Sequence, residues 1–174
     1  MAFPKPQSPA PSTNEREILL GYIRWQREQV VATAEGLSEE QLRWTPQDRL
    51  LPIIGIVNHL SHMEWRWVEG RYLGSPFPPR QEEFTVAPEV TGAQVIMEYR
   101  DQALRTENIV RAAPSLSAPC LGDEGGRGPA HVLLGFEDPV DLRWVLLHLL
   151  EETAHHAGHA DATREMLDGT KMRG

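Results

Sequence analysis

The side chains best suited to chemistry in this chain are its histidines and the carboxylates next to them. One stretch reads N-H-L-S-H-M-E over 58–64, and a second reads H-L-L-E-E-T-A-H-H-A-G-H over 148–159. Imidazole and carboxylate together form the donor set of catalytic zinc and similar divalent ions, which keep one position open for water or substrate. Residues four apart on a helix share a face. In the second stretch Glu152/His156, His148/Glu152, Glu151/His155 and His155/His159 all have that spacing, so geometry alone leaves several ligand pairs open. In the first stretch His59 follows Ile56 by three residues and precedes Met63 by four, which puts it on an apolar stripe, while His62 lies nearer the stripe's edge.

The second stretch has a stripe of its own: Val145, Leu149, Glu152, His156, Ala160 or His159, Thr163 and Leu167. Glu152 and His156 stand where apolar residues should continue. A bare carboxylate in a helical core is costly unless it is paired or binds a metal. A divalent cation held by His59, Glu152 and His156 relieves that cost, and bundle cores build such sites from facing helices. A single buried histidine is more often a hydrogen-bonded core residue than a ligand, so the case rests on the three together. Glu151, His155 and Asp161 read as solvated helix surface, and His131 has no partner in this pattern.

The elements that must position these residues are helical. Asn14 is a helix cap, and apolar residues recur at Ile18, Leu19, Tyr22, Ile23, Trp25, Val30, Val31 and Ala34 up to Gly36. Ser38 to Gln41 is a capping-box pattern that opens a short turn of helix to Trp44. A second helix is expected from Pro52 to near Gly74, a third over roughly 88–112 and closed by Pro114, and a fourth from Asp138-Pro139 to about Leu167 with Gly169 as its stop. Phe77 and Phe84 are candidates to pin the long connection after the second helix. The Gly-rich connection after the third has room for a small hairpin or lid at His131 to Phe136. The expected fold is an all-α four-helix bundle with long connections after its second and third helices. Residues 14–170 form its single domain, and the Pro-rich residues 1–13 form a flexible tail.

Composition narrows the function. The chain has 174 residues, with 17 Lys plus Arg against 25 Asp plus Glu, for a formal charge of −8. That balance argues against a nucleic-acid partner, because few cations are present to displace counterions from a phosphate backbone. No apolar run is long enough for a membrane span, and the N-terminus has no apolar signal region, so a cytoplasmic location is expected. The single cysteine, Cys120, rules out an internal disulfide framework and a thiolate-only metal cage. It is a poor nucleophile candidate for want of an electropositive neighbour. Trp25, Trp65 and Trp67 leave a homodimer interface open, although core packing is the simpler role for Trp67 and Trp144.

Four segments carry a family resemblance: E-R-E-I-L-L-G-Y-I-R-W-Q-R at 15–27, G-L-S-E-E-Q-L-R-W at 36–44, I-I-G-I-V-N-H-L-S-H-M-E at 53–64, and the long run from Asp138 to Gly169. Over 17–169 the chain resembles the DinB-like superfamily of bacterial four-helix bundle proteins. It is most similar to an actinobacterial branch of undefined function that also resembles mycothiol-dependent maleylpyruvate isomerase. The resemblance implies a metal triad of one histidine from the second helix and a Glu-x-x-x-His pair from the last, which here are His59, Glu152 and His156. It leaves His159 either behind the ligands as a supporting residue or near the open position, and His62 either an extra ligand or a wet edge residue.

The resemblance further implies a divalent metal, zinc or alternatively nickel, with a low-molecular-weight thiol such as mycothiol as cosubstrate and an electrophile as the second small-molecule partner. The reaction class is then thiol S-transfer or isomerisation. A metal-dependent hydrolase and a non-catalytic metal- or small-molecule-binding stress-response bundle stand as alternatives. An enzyme should keep an open metal position facing a space between the second and fourth helices. A structural site should be closed by a fourth ligand, for which His62 or His148 is the candidate.

Overall fold

Asn14 does cap the first helix: its side chain accepts hydrogen bonds from the backbone N–H groups of Arg16 and Glu17. The computed structural model describes residues 6–46, 50–76, 82–122, 135 and 139–170. Among these the chain is all-helical. It runs α1 (Glu15–Thr33), the short α2 (Glu39–Leu42), α3 (Ile53–Trp65), a π-helical segment that prolongs α3 (Arg66–Tyr72), α4 (Gly92–Ala112) and α5 (Leu142–Asp168). α1 packs along α5 and also touches α4, while α3 lies against both α4 and α5. Leu20 and Ile23 from α1, Ile56 and Leu60 from α3, Tyr99 from α4, and Leu146 and Leu149 from α5 are fully buried where these helices meet.

Local chemistry accounts for most helix ends. Ser38 and Thr91 each form a complete capping box, with Gln41 and Gln94 respectively. Gly169 closes α5 in the left-handed conformation at φ 75°, which glycine adopts without a Cβ penalty. Two helix C-termini are capped from elsewhere in the chain. Arg16 on α1 donates to the carbonyls of Arg111 and Ala113 at the end of α4, at 3.1 and 2.8 Å. Arg164 on α5 donates to those of Thr33 and Glu35 at the end of α1, at 2.7 and 2.9 Å. These arginines satisfy carbonyls that a helix end leaves without partners.

Three expected boundaries are corrected. The last helix does not start at Asp138-Pro139. Asp141 is its cap and accepts from the Trp144 backbone N–H at 2.9 Å. Residues just before it are held extended, because Cys120 N–H bonds to Val140 O and Leu142 N–H to Ala118 O, leaving no freedom for a helical turn at Pro139. The third helix starts at Gly92 rather than 88, where the Thr91 capping box with Gln94 sets its N-terminus. Pro52 is the cap of α3 rather than its first residue, and the second predicted helix changes to π-helical pitch at Arg66. Phe77, Asp138 and the expected hairpin or lid at His131 to Phe136 (Gly135 aside) lie outside the described residues. Residues 6–13 meet α1, where Trp25 Nε1–H donates to the Pro6 carbonyl at 2.8 Å.

A charged cluster crosses the interior. Arg27 of α1 is 4% exposed and grips the fully buried Glu64 of α3 through two bonds of 2.6 and 2.7 Å. Glu107 of α4 joins from the other side, bound by Arg24 at 3.1 and 2.6 Å. Burial opposes the charge on Arg27, but Glu64 outweighs it and the guanidinium pKa rises above its ordinary value. These charges are tolerated in the core because each faces an opposite charge at hydrogen-bond distance.

Candidate metal centre

α3 and α5 bring three of the predicted residues together. His59, Glu152 and His156 each present a ligand atom within 4.8 Å of the others. Glu152 Oε2 lies 3.8 Å from His59 Nε2 and 3.7 Å from His156 Nε2. Ligand atoms about 2.0–2.2 Å from a tetrahedral zinc stand roughly 3.3–3.6 Å apart, so each imidazole needs to close on the Glu152 carboxylate by only a few tenths of an ångström. The apolar periodicity explains the placement of the two imidazoles. His59 follows the buried Ile56 and precedes the buried Leu60 and Met63, and His156 continues the buried stripe of Val145 and Leu149. Glu152 departs from the expected core position. Its side chain is 30% exposed, and Thr153 takes the fully buried place beside it, with its hydroxyl donating to the Leu149 carbonyl at 2.6 Å. The carboxylate therefore stands at the rim of the site, partly solvated.

The donor chemistry fits a divalent ion. His59 Nε2 is buried and has no hydrogen-bond partner. Its other ring nitrogen, Nδ1, lies 3.0 Å from Glu83 Oε2. A carboxylate accepting from Nδ1–H fixes the tautomer that leaves the Nε2 lone pair free for a metal. His156 Nδ1 is also buried without a partner. Burial, with the neighbouring His59 adding to it, lowers the His156 pKa from 6.5 to about 4, so the ring is neutral near pH 7, as a metal ligand must be.

Glu83 is the residue the sequence did not reveal. It lies in the connection between α3 and α4, where it accepts from His59 and from both terminal nitrogens of Arg66, Nη2 at 2.9 Å. Burial opposes its ionisation, but the hydrogen bonds from His59 and Arg66 prevail and hold its carboxyl at about 2. The connection docks through backbone contacts. Asn58 Nδ2 donates to the Glu83 carbonyl at 2.7 Å, and Phe84 stacks on the His59 ring with centroids 4.2 Å apart. Gly55 permits this approach, since a Cβ there would stand 2.4 Å from the Phe84 carbonyl oxygen. Phe84 thus pins the connection, as its position suggested.

The other predicted residues fall outside the trio. His62 turns toward α4 and lines a shallow groove with Ser61, Trp65, Glu98, Gln102 and Arg105, so it is no extra ligand. His148 sits one turn before Glu152, packed against Trp67 at 4.5 Å and stacked on Trp144 at 5.2 Å, and its pKa is lowered by burial. It groups with Glu151 and Glu152 rather than with His59 and His156. Among the described residues no fourth His, Cys, Asp or Glu joins the trio. His155 is exposed, and Cys120 is half-buried, its thiol pushed up to about 11 by burial with Asp141 adding to the effect. Among the described residues no helix is long and apolar enough to cross a membrane.

A family model described as mycothiol-S-transferase matches residues 18–169. No curated protein matches the chain.

Proposed function

Because the chain belongs to the mycothiol-S-transferase family, we propose that it is a metal-dependent transferase, with a zinc ion held by His59, Glu152 and His156 and mycothiol as its thiol cosubstrate. The helices then form a four-helix bundle of DinB-like type, and the reaction takes place in the cytoplasm, where such a thiol is kept reduced. One observation carries the reading: the buried, unpartnered Nε2 of His59 faces Glu152 and His156 while its Nδ1 is tied to Glu83. The ion, when bound, supplies Lewis acidity that lowers the pKa of a coordinated thiol.

The chain's own residues do the rest. Glu83, gripped by Arg66, keeps the His59 ring in one tautomer and orientation. Trp67 and Trp144 shield the wall one turn along α5 from water. The partly exposed rim at Glu152 is the side from which thiol and electrophile enter. Cys120 does not supply the sulfur, because a thiol with a pKa near 11 is protonated at neutral pH.

The test is metal content by mass spectrometry after gel filtration, together with conjugation of mycothiol to a small electrophile. Wild type and His155→Ala should each keep one tightly held ion per chain. His59→Ala and His156→Ala should lose it and lose conjugation with it. Full metal retention in both variants would overturn the triad. Metal loss with conjugation unchanged would overturn the metal-dependent reaction.

A further inference from the structure

The imidazoles continue beyond the trio. His155 and His159 are one turn apart on α5, with ring centroids 4.4 Å apart and planes at 83°. His155 is exposed and His159 half-buried, and His159 Nδ1 is buried with no hydrogen-bond partner. Histidines four apart on one helix face are a spacing that can bring two imidazoles to one ion. Among the described residues no carboxylate completes a three-donor group with this pair, so water would fill the remaining positions around a bound ion.

We infer that His155 and His159 form a second, solvent-side site for a divalent cation of borderline softness, the class of zinc, nickel and copper(II) that imidazole prefers. This site is separate from the buried trio and does not depend on it, although the two adjoin: the His159 and His156 rings lie 5.5 Å apart. It has two protein imidazoles, one of them exposed, against three partly or fully buried donors in the trio. It therefore binds about tenfold or more weakly, and a cation in the trio weakens it further by like-charge repulsion.

Calorimetric titration of zinc into chelator-treated full-length protein tests this. Wild type should show two classes, one ion each. His155→Ala should abolish the weaker class and leave the tighter one, and His59→Ala should do the reverse. His155 is exposed, so its variant should fold; circular dichroism checks that, and His155→Gln provides a second variant without an imidazole. A single class in wild type, or an undiminished weaker class in both His155 variants, overturns the proposal. If His59→Ala instead leaves the tighter class intact, the trio is overturned while the surface site stands on the His155 result.

Discussion

Outside the trio, Glu83 is hydrogen-bonded directly to His59. Its carboxylate holds one nitrogen of His59 so that the other is free, and groups in that position typically change metal affinity 10- to 100-fold when altered. Glu83→Gln should weaken zinc binding by about that factor in a chelator competition, with the fold retained. The buried His156 makes a second prediction. Its folded pKa of about 4 lies below its ordinary value of 6.5, so between those values the unfolded chain binds more protons. Stability of the metal-free protein should be fully present above pH 6.5 and fall as pH drops to 4, by on the order of 3 kcal/mol from this group. Denaturant melts of chelator-treated protein across that range should show the slope, and His156→Gln should flatten it. The candidate ligands were legible because polar residues interrupted an apolar stripe, although Glu152 stands at the rim rather than in the core. Glu64, four residues after Leu60, is buried on the same helix without having been singled out, and its partner is Arg27 rather than a metal. Glu83 gave no such signal, since an acidic residue in a connection reads as solvated until the connection's path is known.

At the level of elements, helix existence followed from apolar periodicity, and the missed boundaries followed from competing hydrogen bonds. Asp138 and Asp141 are both capping residues by type. The extended pairing of Val140 with Cys120 decides between them, and only the folded chain brings those two together. The connection after α3 shows a similar dependence on distant packing. Replacing a helix-interior glycine by alanine normally stabilises by about 1 kcal/mol. Gly55→Ala should do the opposite, because its Cβ would press on the Phe84 carbonyl and push Glu83 away from His59. Unfolding in denaturant should show a loss of stability, and the same variant should bind zinc more weakly although residue 55 touches no ligand. Unchanged affinity would mean that the connection does not set the His59 orientation.

Across the whole molecule, charges on three helices share one interior cluster. Removing one partner of a buried pair leaves the other uncompensated, so Arg27→Ala should cost about 3–5 kcal/mol in chemical denaturation. Exchanging both Arg27 and Glu64 for apolar residues of similar size should cost far less, because no bare charge remains. The arrangement of helices also has a consequence in time. α1 packs along α5, and its C-terminal carbonyls are capped by an arginine 131 positions later. On the ribosome, the nascent chain must carry the apolar face of α1 past the synthesis of α2, α3 and α4 before that partner emerges. Such long-range closure slows folding and prolongs exposure of apolar surface. His59 and its two α5 companions are likewise separated in synthesis, so the trio can assemble only after α5 has been made.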